Sequence, residues 1–310
     1  MTPIPSGRPH FAAQSGQAAA RTWRLDAPES LDGPSGPPPV LSVIAPAKNE
    51  AASLPRLAAE VAAALRPLCA DGEPRGTRLG GFEILVIDDG STDDTPAVLR
   101  GLEVDFPELR PIRLRANVGQ SAATAAGFRA ARGEWIATLD ADLQNDPADL
   151  ATLWRAIPGH DAALGWRRER QDKWSRRIVS RWANRVRNAA LGQDVRDTGC
   201  STRIFRRDLA LRLPMFRGSH RFLGPLLLRE GARIVQVPVN HRARPHGASH
   251  YNFRNRSFGV VVDLLGVAWL MRRSVRYDAF EPRGVDPNVA SGESAVAAVP
   301  SRQVAGRRAG

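Results

Sequence analysis

Two carboxylates one residue apart offer the clearest candidate chemistry in this sequence. Asp140 and Asp142 follow the apolar run 135–139, and Gln144 continues the same alternation. Side chains alternate in an extended chain, so these three can point to one side and converge on a single ion. Oxygen-only ligands suit Mg²⁺ or Mn²⁺, which keep coordination positions open for water and substrate phosphates. The alternative is a loop whose acidic residues only cap the next helix, which is the role expected of Asp146.

Polar residues also follow two earlier apolar runs. Asn49 and Glu50 come after the first apolar run of the chain, and Asp88 and Asp89 come after the second. Because parallel strands bring their carboxyl ends to one edge of a sheet, we expect these groups to lie beside Asp140 and to form a nucleotide site. No Gly-x-Gly-x-x-Gly or phosphate-loop glycine pattern follows the first run, which argues against a dinucleotide oxidoreductase or a phosphate-loop ATPase.

Alternating strand and helix patterns provide the elements that would position these groups. Leu54, Leu57, Val61 and Leu65 have the spacing of an amphipathic helix, and Ser53 precedes them as the expected N-cap. Strands are predicted at 41–46, 82–87, 112–115, 135–139 and 161–165, with helices between them. This pattern predicts an α/β fold with a mainly parallel sheet that is covered by helices on both faces.

The composition suits one folded domain with a basic surface. The 310 residues are 43% hydrophobic, which is ample for a core, and they carry a formal net charge of +12. Such a charge favours an anionic partner, whether nucleic acid, phosphates or an acidic membrane face. The two cysteines, Cys69 and Cys200, lack metal or redox spacing, which suits structural roles in a reducing compartment.

Composition also suggests the domain boundaries. Residues 1–39 and 276–310 are expected to be disordered, because they lack an apolar period that would offset the entropy of ordering. The main folded domain is expected at 40–253, followed by an amphipathic juxtamembrane helix at 254–275. No apolar run reaches the roughly 18 to 20 residues of a spanning helix, and the N-terminus lacks a signal-peptide pattern, so we expect a cytoplasmic protein.

Six separated motifs lie along the chain. They are VIAPAKNE at 43–50, VIDDGSTD at 86–93, NVGQSAA at 117–123, LDADLQ at 139–144, GCSTRIFRR at 199–207 and HRARPHGAS at 241–249. Together they resemble the inverting nucleotide-sugar glycosyltransferases of family 2, of the dolichyl- or polyprenyl-phosphate sugar synthase type. The resemblance covers about residues 40–272. It implies that 40–253 is a catalytic domain with the Rossmann-like GT-A fold, followed by membrane-associated amphipathic helices.

The resemblance implies roles for the polar residues at the strand ends. The donor nucleotide would be bound by Pro46, Asn49, Glu50, Asp88, Asp89 and Gln120. Asp140, Asp142 and Gln144 would hold Mg²⁺ or Mn²⁺ on the donor diphosphate. A metal there neutralises charge that grows on the leaving group as the sugar bond breaks. For Asp88 and Asp89, capping of the turn and the next helix is the alternative.

A segment rich in Arg and Trp provides the candidate acceptor side. Trp174, Ile178, Trp182 and Val186 recur every four residues among many arginines. This pattern fits an amphipathic helix at an anionic membrane surface, and an ordinary surface helix is its alternative. By the resemblance, acceptor and phosphate contacts would come from Arg167, Arg177 or Arg181, Arg203, Arg244 and Ser249. The apolar stretch 258–271 is too short to span a bilayer and is expected at the interface, with a core helix as its rival.

The predicted reaction is metal-dependent transfer of a sugar from GDP-mannose or a UDP-sugar to a dolichyl or undecaprenyl phosphate. It would proceed with inversion, on a protein held peripherally at the cytoplasmic face of the membrane. A phosphate monoester is largely dianionic near neutral pH, since its second pKa lies around 6, so a dedicated base is not required. Asp197 lies where related enzymes often carry a candidate catalytic base, and orientation of the acceptor is an equal interpretation.

Other functions compete with this one. A family 2 enzyme that acts on a polysaccharide or another hydroxyl acceptor would need a base, whereas the arginine-rich half favours a phosphate. A phosphatase-like hydrolase would need its paired aspartates after the first strand. A basic nucleic-acid-binding protein would explain the charge of +12, but three acidic strand ends would repel a polyanion, so no nucleic-acid partner is expected. The sugar, the nucleotide base, the polyprenol and the oligomeric state stay open.

Overall fold

The computed structural model describes residues 39–70, 76–168, 194–243 and 253–273. Its strands are β1 (Leu41–Ala47), β2 (Phe82–Asp88), β3 (Leu109–Arg113), β4 (Trp135–Thr138), β5 (Ala162–Arg167), β6 (Arg203–Arg206) and β7 (Ile234–Val239). Its α-helices are α1 (Leu54–Cys69), α2 (Thr95–Asp105), α3 (Gln120–Ala130), α4 (Asp149–Ala156), α5 (Arg207–Arg212), α6 (Leu223–Arg229) and α7 (Phe253–Arg272). A 3₁₀ turn, Ser219–Arg221, precedes α6.

The seven strands form one sheet in the order β3-β2-β1-β4-β6-β5-β7. Strand β1 pairs in parallel with β2 and β4, β2 with β3, and β5 with β7, whereas β6 is antiparallel to both of its neighbours. The predicted α/β fold with a mainly parallel sheet is therefore confirmed. Strands β6 and β7 were not among the predicted elements, and β6 separates β4 from β5.

Two apolar layers cover the sheet because alternate side chains of each strand point to opposite faces. On one face, Val43 and Ile84 belong to a core that is completed by α1, α2 and α4. On the other face, Ile44 and Leu85 belong to a second core with α3, α5 and α6. Helices on both faces are thus confirmed.

Small residues let α3 lie very close to the sheet. A Cβ atom placed on Gly127 would come within 2.5 Å of Ile44 Cγ2 in β1, so only glycine fits at this crossing. Phe128 of the same helix packs edge-on against Phe205 of β6, with ring centroids 5.7 Å apart. Gln120, at the start of this helix, lies beside Pro46 of β1 and Thr138 of β4 in the wall of one cavity.

Three local predictions are wrong in detail. Strand β3 begins at Leu109, three residues before the predicted start. Ser53 occupies the N-cap position of α1, but its hydroxyl donates to Glu50 at 3.0 Å instead of accepting a helix N–H. Asp146 accepts from Ala148 N at 3.0 Å, and α4 begins only at Asp149, so Asp146 closes a turn before the helix.

Helix α7 contains the C-terminal apolar stretch and packs partly on the domain, while its location at a membrane interface stays a prediction. Val267 is buried in the second core, whereas Val262, Leu265 and Trp269 are 51%, 64% and 61% exposed. One side of the helix therefore packs on the domain while another presents apolar side chains outward. Among the described residues, every helix is too short or too polar to cross a lipid bilayer. The predicted disordered segments 1–39 and 276–310 lie, except for residue 39, outside the described residues.

A buried polar cluster joins the amino ends of β1 and β2. The Glu83 carboxylate accepts from Ser42 Oγ at 2.6 Å and Arg132 N at 2.8 Å, and it pairs with Arg110 at 3.0 Å. Ser42 Oγ in turn accepts from Gly133 N at 2.8 Å. Glu83 is only 6% exposed. The cluster therefore satisfies several backbone and side-chain groups at the sheet edge where these strands begin.

The variant Glu83→Ala is expected to lower the free energy of unfolding by about 3 kcal/mol, because it leaves Arg110 without its ion-pair partner and removes the acceptor of Ser42 Oγ and Arg132 N. Urea denaturation monitored by circular dichroism measures this change. Glu108→Ala is the matched control, since its partner Arg66 is 51% exposed and an exposed pair contributes less than about 1 kcal/mol. Equal losses in the two variants would contradict this account of the cluster.

Candidate active site

The loops that follow β1 and β2 are fastened to each other at the carboxyl edge of the sheet. Asn49 has a φ of 55° and donates its N–H to Ser91 Oγ at 2.9 Å. Its side-chain Oδ1 accepts from Thr92 N at 2.9 Å. The backbone N–H of Glu50 donates to Thr95 Oγ1 at 3.0 Å. Asn49 and Glu50, both predicted to contact the nucleotide, are thus held in a fixed pair of loops.

The carboxylates of Asp88 and Asp89 have structural partners. Asp89 accepts from Val118 N at 2.8 Å and Gly119 N at 2.9 Å, which ties the end of β2 to the loop before α3. Asp88 accepts from the N–H of Ser91 at 2.8 Å, and Arg113 lies 3.4 Å from its other oxygen. The turn contact of the alternative interpretation is therefore present for Asp88, whereas Asp89 binds the loop before α3. A nucleotide contact by either residue stays a prediction.

Asp140 is oriented by two side chains from different elements. Its Oδ1 accepts from Gln120 Nε2 at 2.9 Å, and its Oδ2 accepts from Ser201 Oγ at 2.7 Å. Ser201 Oγ itself accepts from Asn145 Nδ2 at 2.6 Å. Burial raises the pKa of the Asp140 carboxyl, the Ser201 hydrogen bond lowers it, and the negative charge of Asp142 raises it. Two carboxylates thus lie close enough to repel each other.

The turn after Asp140 is tight. Leu143 has a φ of 60°, which is unusual for a side chain other than glycine, and Asp142 Oδ1 accepts from Gln144 N at 3.1 Å. The available donors of Asp140, Asp142 and Gln144 are all oxygens, which fits a hard divalent cation bound through one or two carboxylates and substrate phosphates. Within the described ranges, no group of three His, Cys, Asp or Glu side chains forms a metal cluster.

A cavity of about 280 Å³ opens beside Asp140. Four predicted site residues contribute to its wall, namely Pro46, Gln120, Asp140 and Arg203. Six further polar residues of the wall were missed by the sequence analysis, namely Thr124, Thr138, Thr198, Ser201, His220 and Arg221. Tertiary packing brings them together from α3, the end of β4, the segment before β6 and the 3₁₀ turn. Among them, only Ser201 lies in a motif that the sequence analysis quoted, so the others gave no signal.

His220 is held by the first turn of α3. Its Nδ1 lies 2.7 Å from Ser121 Oγ, which also accepts from Gly218 N at 3.0 Å. Since the hydroxyl accepts from Gly218, its own proton is available to donate to His220 Nδ1. This arrangement fixes the imidazole ring in the cavity wall.

Arg167 and Asp197, predicted for separate roles, form one ion pair at the end of β5. Arg167 Nε lies 2.7 Å from Asp197 Oδ2, and Arg167 Nη2 donates to Oδ1 at 3.0 Å. Both side chains are largely buried, at 13% and 10% exposed. Gly199 N also donates to Asp197, at 3.1 Å. The geometry favours orientation of Arg167 by Asp197, and the catalytic role of Asp197 stays a prediction.

Arg203, the first residue of β6, lines the cavity. It is 4% exposed and donates to Thr198 O at 3.0 Å and His220 O at 3.3 Å. Burial lowers the pKa of its guanidinium, whereas the negative charges of Asp140 and Asp197 raise it. The other predicted phosphate-binding residues lie outside the described residues; these are Arg177, Arg181, Arg244 and Ser249. The same holds for the segment that carries Trp174 and Trp182.

Asp149, the first residue of α4, binds the segment that follows β7. It is 7% exposed and accepts from Asn240 N at 2.7 Å. Burial raises the pKa of its carboxyl to about 6, the Asn240 hydrogen bond lowers it, and the nearby Asp146 raises it. The segment after β7 is therefore anchored to α4 by a carboxyl whose charge depends on pH.

The family described as "Glycosyl transferase family 2" matches residues 42–213. The chain is 35% identical over 242 residues to the dodecaprenyl-phosphate galacturonate synthase of Rhizobium johnstonii, a match that covers 76% of this chain and 68% of the relative. It is also 35% identical over 214 residues to the undecaprenyl-phosphate 4-deoxy-4-formamido-L-arabinose transferase of Aeromonas hydrophila, covering 68% of this chain and 63% of that one.

Two solved structures share the fold. The mannosyltransferase PcManGT of Pyrobaculum calidifontis, in complex with GDP-Man and Mn²⁺, superposes with a TM-score of 0.51 at 21% identity, over 79% of this chain and 66% of that chain. Glucosyl-3-phosphoglycerate synthase of Mycobacterium tuberculosis, in complex with Mn²⁺, UDP-glucose and phosphoglyceric acid, gives 0.52 at 21% identity, over 74% of this chain and 80% of that chain. These similarities support the GT-A-like architecture.

The variant Asp149→Asn tests whether the contact between Asp149 and the segment after β7 depends on pH. Because folding raises the pKa of Asp149 from 3.8 to about 6, the folded protein binds the proton more tightly than the unfolded chain. The free energy of unfolding therefore falls as pH rises through this interval. Between pH 4 and 6 the wild type should lose on the order of 2 kcal/mol relative to the variant, as measured by urea denaturation at several pH values.

Asp161→Asn is the control for this experiment. Arg233 lowers the pKa of the Asp161 carboxyl to about 2, so its stabilising contribution is present above pH 4 and is lost only at lower pH. The difference between the wild type and this control should stay nearly constant from pH 4.5 upward. A constant difference for Asp149→Asn as well would show that Asp149 does not titrate as described.

Proposed function

The chain belongs to glycosyl transferase family 2, and we propose that it transfers a sugar from a nucleoside-diphosphate donor to a polyprenyl phosphate. The observation that carries this proposal is the polarity of the cavity. Asp140, next to Asp142, lines one part of it, and Arg203 lines another. Arg167 lies beside Gly199 of the same wall. One side is suited to a cation with a diphosphate, and the other to a second phosphate.

The relatives support the acceptor class. The names of both contain a polyprenyl phosphate, and the chain spans 68% and 63% of their lengths. Acceptor binding is assigned to the basic side of the cavity because Arg203 is buried and fixed by two carbonyl oxygens, and Arg167 is fixed by Asp197. Guanidinium groups that are already oriented lose little entropy when they bind a phosphate.

The reaction is a displacement at the anomeric carbon. A lone pair on an acceptor phosphate oxygen forms the new bond to that carbon on one face of the sugar. The bond to the donor diphosphate breaks on the opposite face, and its electron pair leaves with the nucleoside diphosphate, so the configuration inverts. The attacking phosphate monoester is largely dianionic near neutral pH and has no proton to lose. Asp197 therefore serves to orient Arg167.

The residues around Asp140 would hold a divalent cation on the donor. Asp140, Asp142 and Gln144 are the assigned ligands, and Mg²⁺ or Mn²⁺ would supply stabilisation of the negative charge on the leaving diphosphate. Gln120 and Ser201 hold the Asp140 carboxylate in one orientation, which is the role of partners around a metal ligand. Pro46, Asn49 and the neighbouring loops are assigned to the nucleotide.

Helix α7 supplies the proposed contact with the cytoplasmic face of the membrane. Leu265 and Trp269 present apolar surface outward, while Val267 anchors the helix to the domain. Arg273 lies 5.9 Å from the centre of the Trp269 ring, so a cation accompanies the aromatic group. Apolar side chains with Trp and Arg at their margin are typical of interfacial helices, and the net charge of +12 favours anionic lipids.

Transfer from radiolabelled GDP-mannose, UDP-glucose or UDP-galacturonate to undecaprenyl phosphate tests the proposed reaction. With Mn²⁺ or Mg²⁺, label from one donor should enter the organic phase, and a chelator should prevent it. Asp142→Asn should lower the rate by at least about 100-fold, because a metal ligand is lost, without changing the circular dichroism spectrum. Asp105→Asn, an exposed residue at the far end of α2, is the control and should retain activity.

Label that stays in the aqueous phase with every donor, although the donors bind, would contradict the lipid-phosphate acceptor. A hydroxyl acceptor such as a polysaccharide would then be the better hypothesis. Normal turnover by Asp142→Asn would contradict the metal assignment alone.

The double variant Leu265→Ser/Trp269→Ser tests the membrane face. It should weaken binding to liposomes that contain anionic lipid by about tenfold, because two apolar side chains no longer enter the interface. Flotation of the liposomes measures the bound fraction. Val104→Ser is the matched control, since Val104 is 84% exposed on α2 but lies outside this face. Unchanged flotation of the double variant would place the membrane contact elsewhere.

A further inference from the structure

The segment after β7 lies along the loop that carries the assigned metal ligands. Arg242 N donates to Gln144 O at 2.8 Å, and His241 forms an antiparallel bridge with Asn145. Asn240, the residue before His241, donates its N–H to Asp149. Three consecutive residues of this segment therefore contact the chain from Gln144, an assigned metal ligand, to Asp149, the first residue of α4.

The Arg242 side chain links the loop of residues 140–146, called the metal loop below, to α1 through two ion pairs. Its Nη2 lies 2.7 Å from Asp146 Oδ1, and its Nη1 contacts Glu60 Oε2. Glu60 is held in turn by Arg56, one helical turn earlier, at 2.7 Å. The side chains of Arg242, Asp146 and Glu60 are 33%, 14% and 25% exposed, so the cluster is only partly accessible to water. One guanidinium thus joins three elements that are distant in sequence: α1, the metal loop and the segment after β7.

The loop needs such support because its conformation is intrinsically unfavourable. Leu143 has a φ of 60° and is 1% exposed, so a bulky side chain is held in the left-handed region between Asp142 and Gln144. A conformation of this kind costs on the order of 1 kcal/mol and persists only where the surroundings determine it. The buried Leu143 side chain fixes the middle of the metal loop in the core, and Arg242 fixes its carboxyl end at Asp146.

We propose that Arg242 is a positioning residue for the metal loop, acting through Asp146 and Glu60. The inference rests on the proposed function, since it takes Asp140, Asp142 and Gln144 as the cation ligands. Arg242 lies beyond residues 42–213, the part of the chain that matches the family. The ion pairs of Arg242 fix the backbone of residues 144–146. They thereby fix the spacing of the oxygen ligands that Asp140, Asp142 and Gln144 would offer to the cation.

A purely electrostatic role and a positioning role of Arg242 predict opposite changes in metal binding when its side chain is removed. A guanidinium next to a cation site repels the cation, so its removal should tighten metal binding if its charge alone matters. If it positions the loop, its removal should weaken metal binding, as loss of a residue that orients metal ligands does. The sign of the change therefore distinguishes the two roles.

Mn²⁺ binding, measured by the electron paramagnetic resonance signal of the unbound ion in the presence of a nucleoside diphosphate, tests the proposal without turnover. Arg242→Gln keeps the backbone bond to Gln144 and should weaken Mn²⁺ binding by about tenfold. Asp146→Asn should weaken it by a similar factor, and Arg242→Lys, which keeps the charge but loses the two-armed guanidinium, by less. Tighter binding by Arg242→Gln would overturn the proposal.

The double variant Arg242→Gln/Asp146→Asn restores the net charge of the loop. If Arg242 positions the loop, the double variant should bind Mn²⁺ about tenfold more weakly than the wild type. It should bind no more weakly than either single variant, because both changes remove the same contact. A charge effect would instead return Mn²⁺ binding to within about twofold of the wild type, and this result would also overturn the proposal. Thermal unfolding of each variant establishes that the domain is folded.

Arg233→Gln is the matched control. It removes a guanidinium that pairs with Asp161 at 3.0 Å, at the amino ends of β5 and β7, and should leave Mn²⁺ binding unchanged. A wild type that neither binds Mn²⁺ nor transfers sugar would contradict the proposed function and the inference together. A wild type that does both, with Arg242→Gln unchanged in Mn²⁺ binding, would overturn the inference alone.

Discussion

The parallel pairing of β1 with β2 and β4 is the constraint on which the site depends. Ala47 is level with Asp88 in one ladder, and Ile44 with Thr138 in the other, so the chain leaves all three strands at one edge of the sheet. Groups that are about 90 residues apart in sequence thereby come within reach of one ligand. The loops then cross-link, with Asp89 bound to the backbone before α3 and Asn49 to the loop after β2.

The reversed strand β6 adds the basic half of the site. Because β6 runs against its neighbours, its amino end, where Arg203 pairs with Thr138, lies at the edge where the other strands finish. Ser201 and Arg203 therefore reach Asp140 and the cavity, although they precede a strand instead of following one. A sheet whose strands were all parallel would have placed these residues at the opposite edge. Acidic and basic groups share one cavity for this topological reason.

Most charged groups of the site are held by a partner before any ligand arrives. Asp140 accepts two side-chain hydrogen bonds, Asp197 is paired with Arg167, and Arg203 is fixed by backbone carbonyls. Preorganised groups of this kind do not have to be ordered when substrate binds. The same principle applies to the metal loop, whose tight turn at Leu143 is held by contacts from α1 and from the segment after β7.

The sequence by itself determined the parts of this protein that depend on local pattern. Short apolar runs, helical stripes and acidic residues at strand ends indicated the α/β fold and the position of Asp140 and Asp142, because apolar runs, periodicity and polarity are local properties. The six ordered motifs indicated the family. Tertiary structure alone decided which groups meet: the reversal of β6, the pairing of Arg167 with Asp197, and the arrival of His220 and Arg242 at the site. These depend on strand order and on packing between distant segments, as in the close contact of α3 with the sheet at Gly127, and no local pattern encodes them.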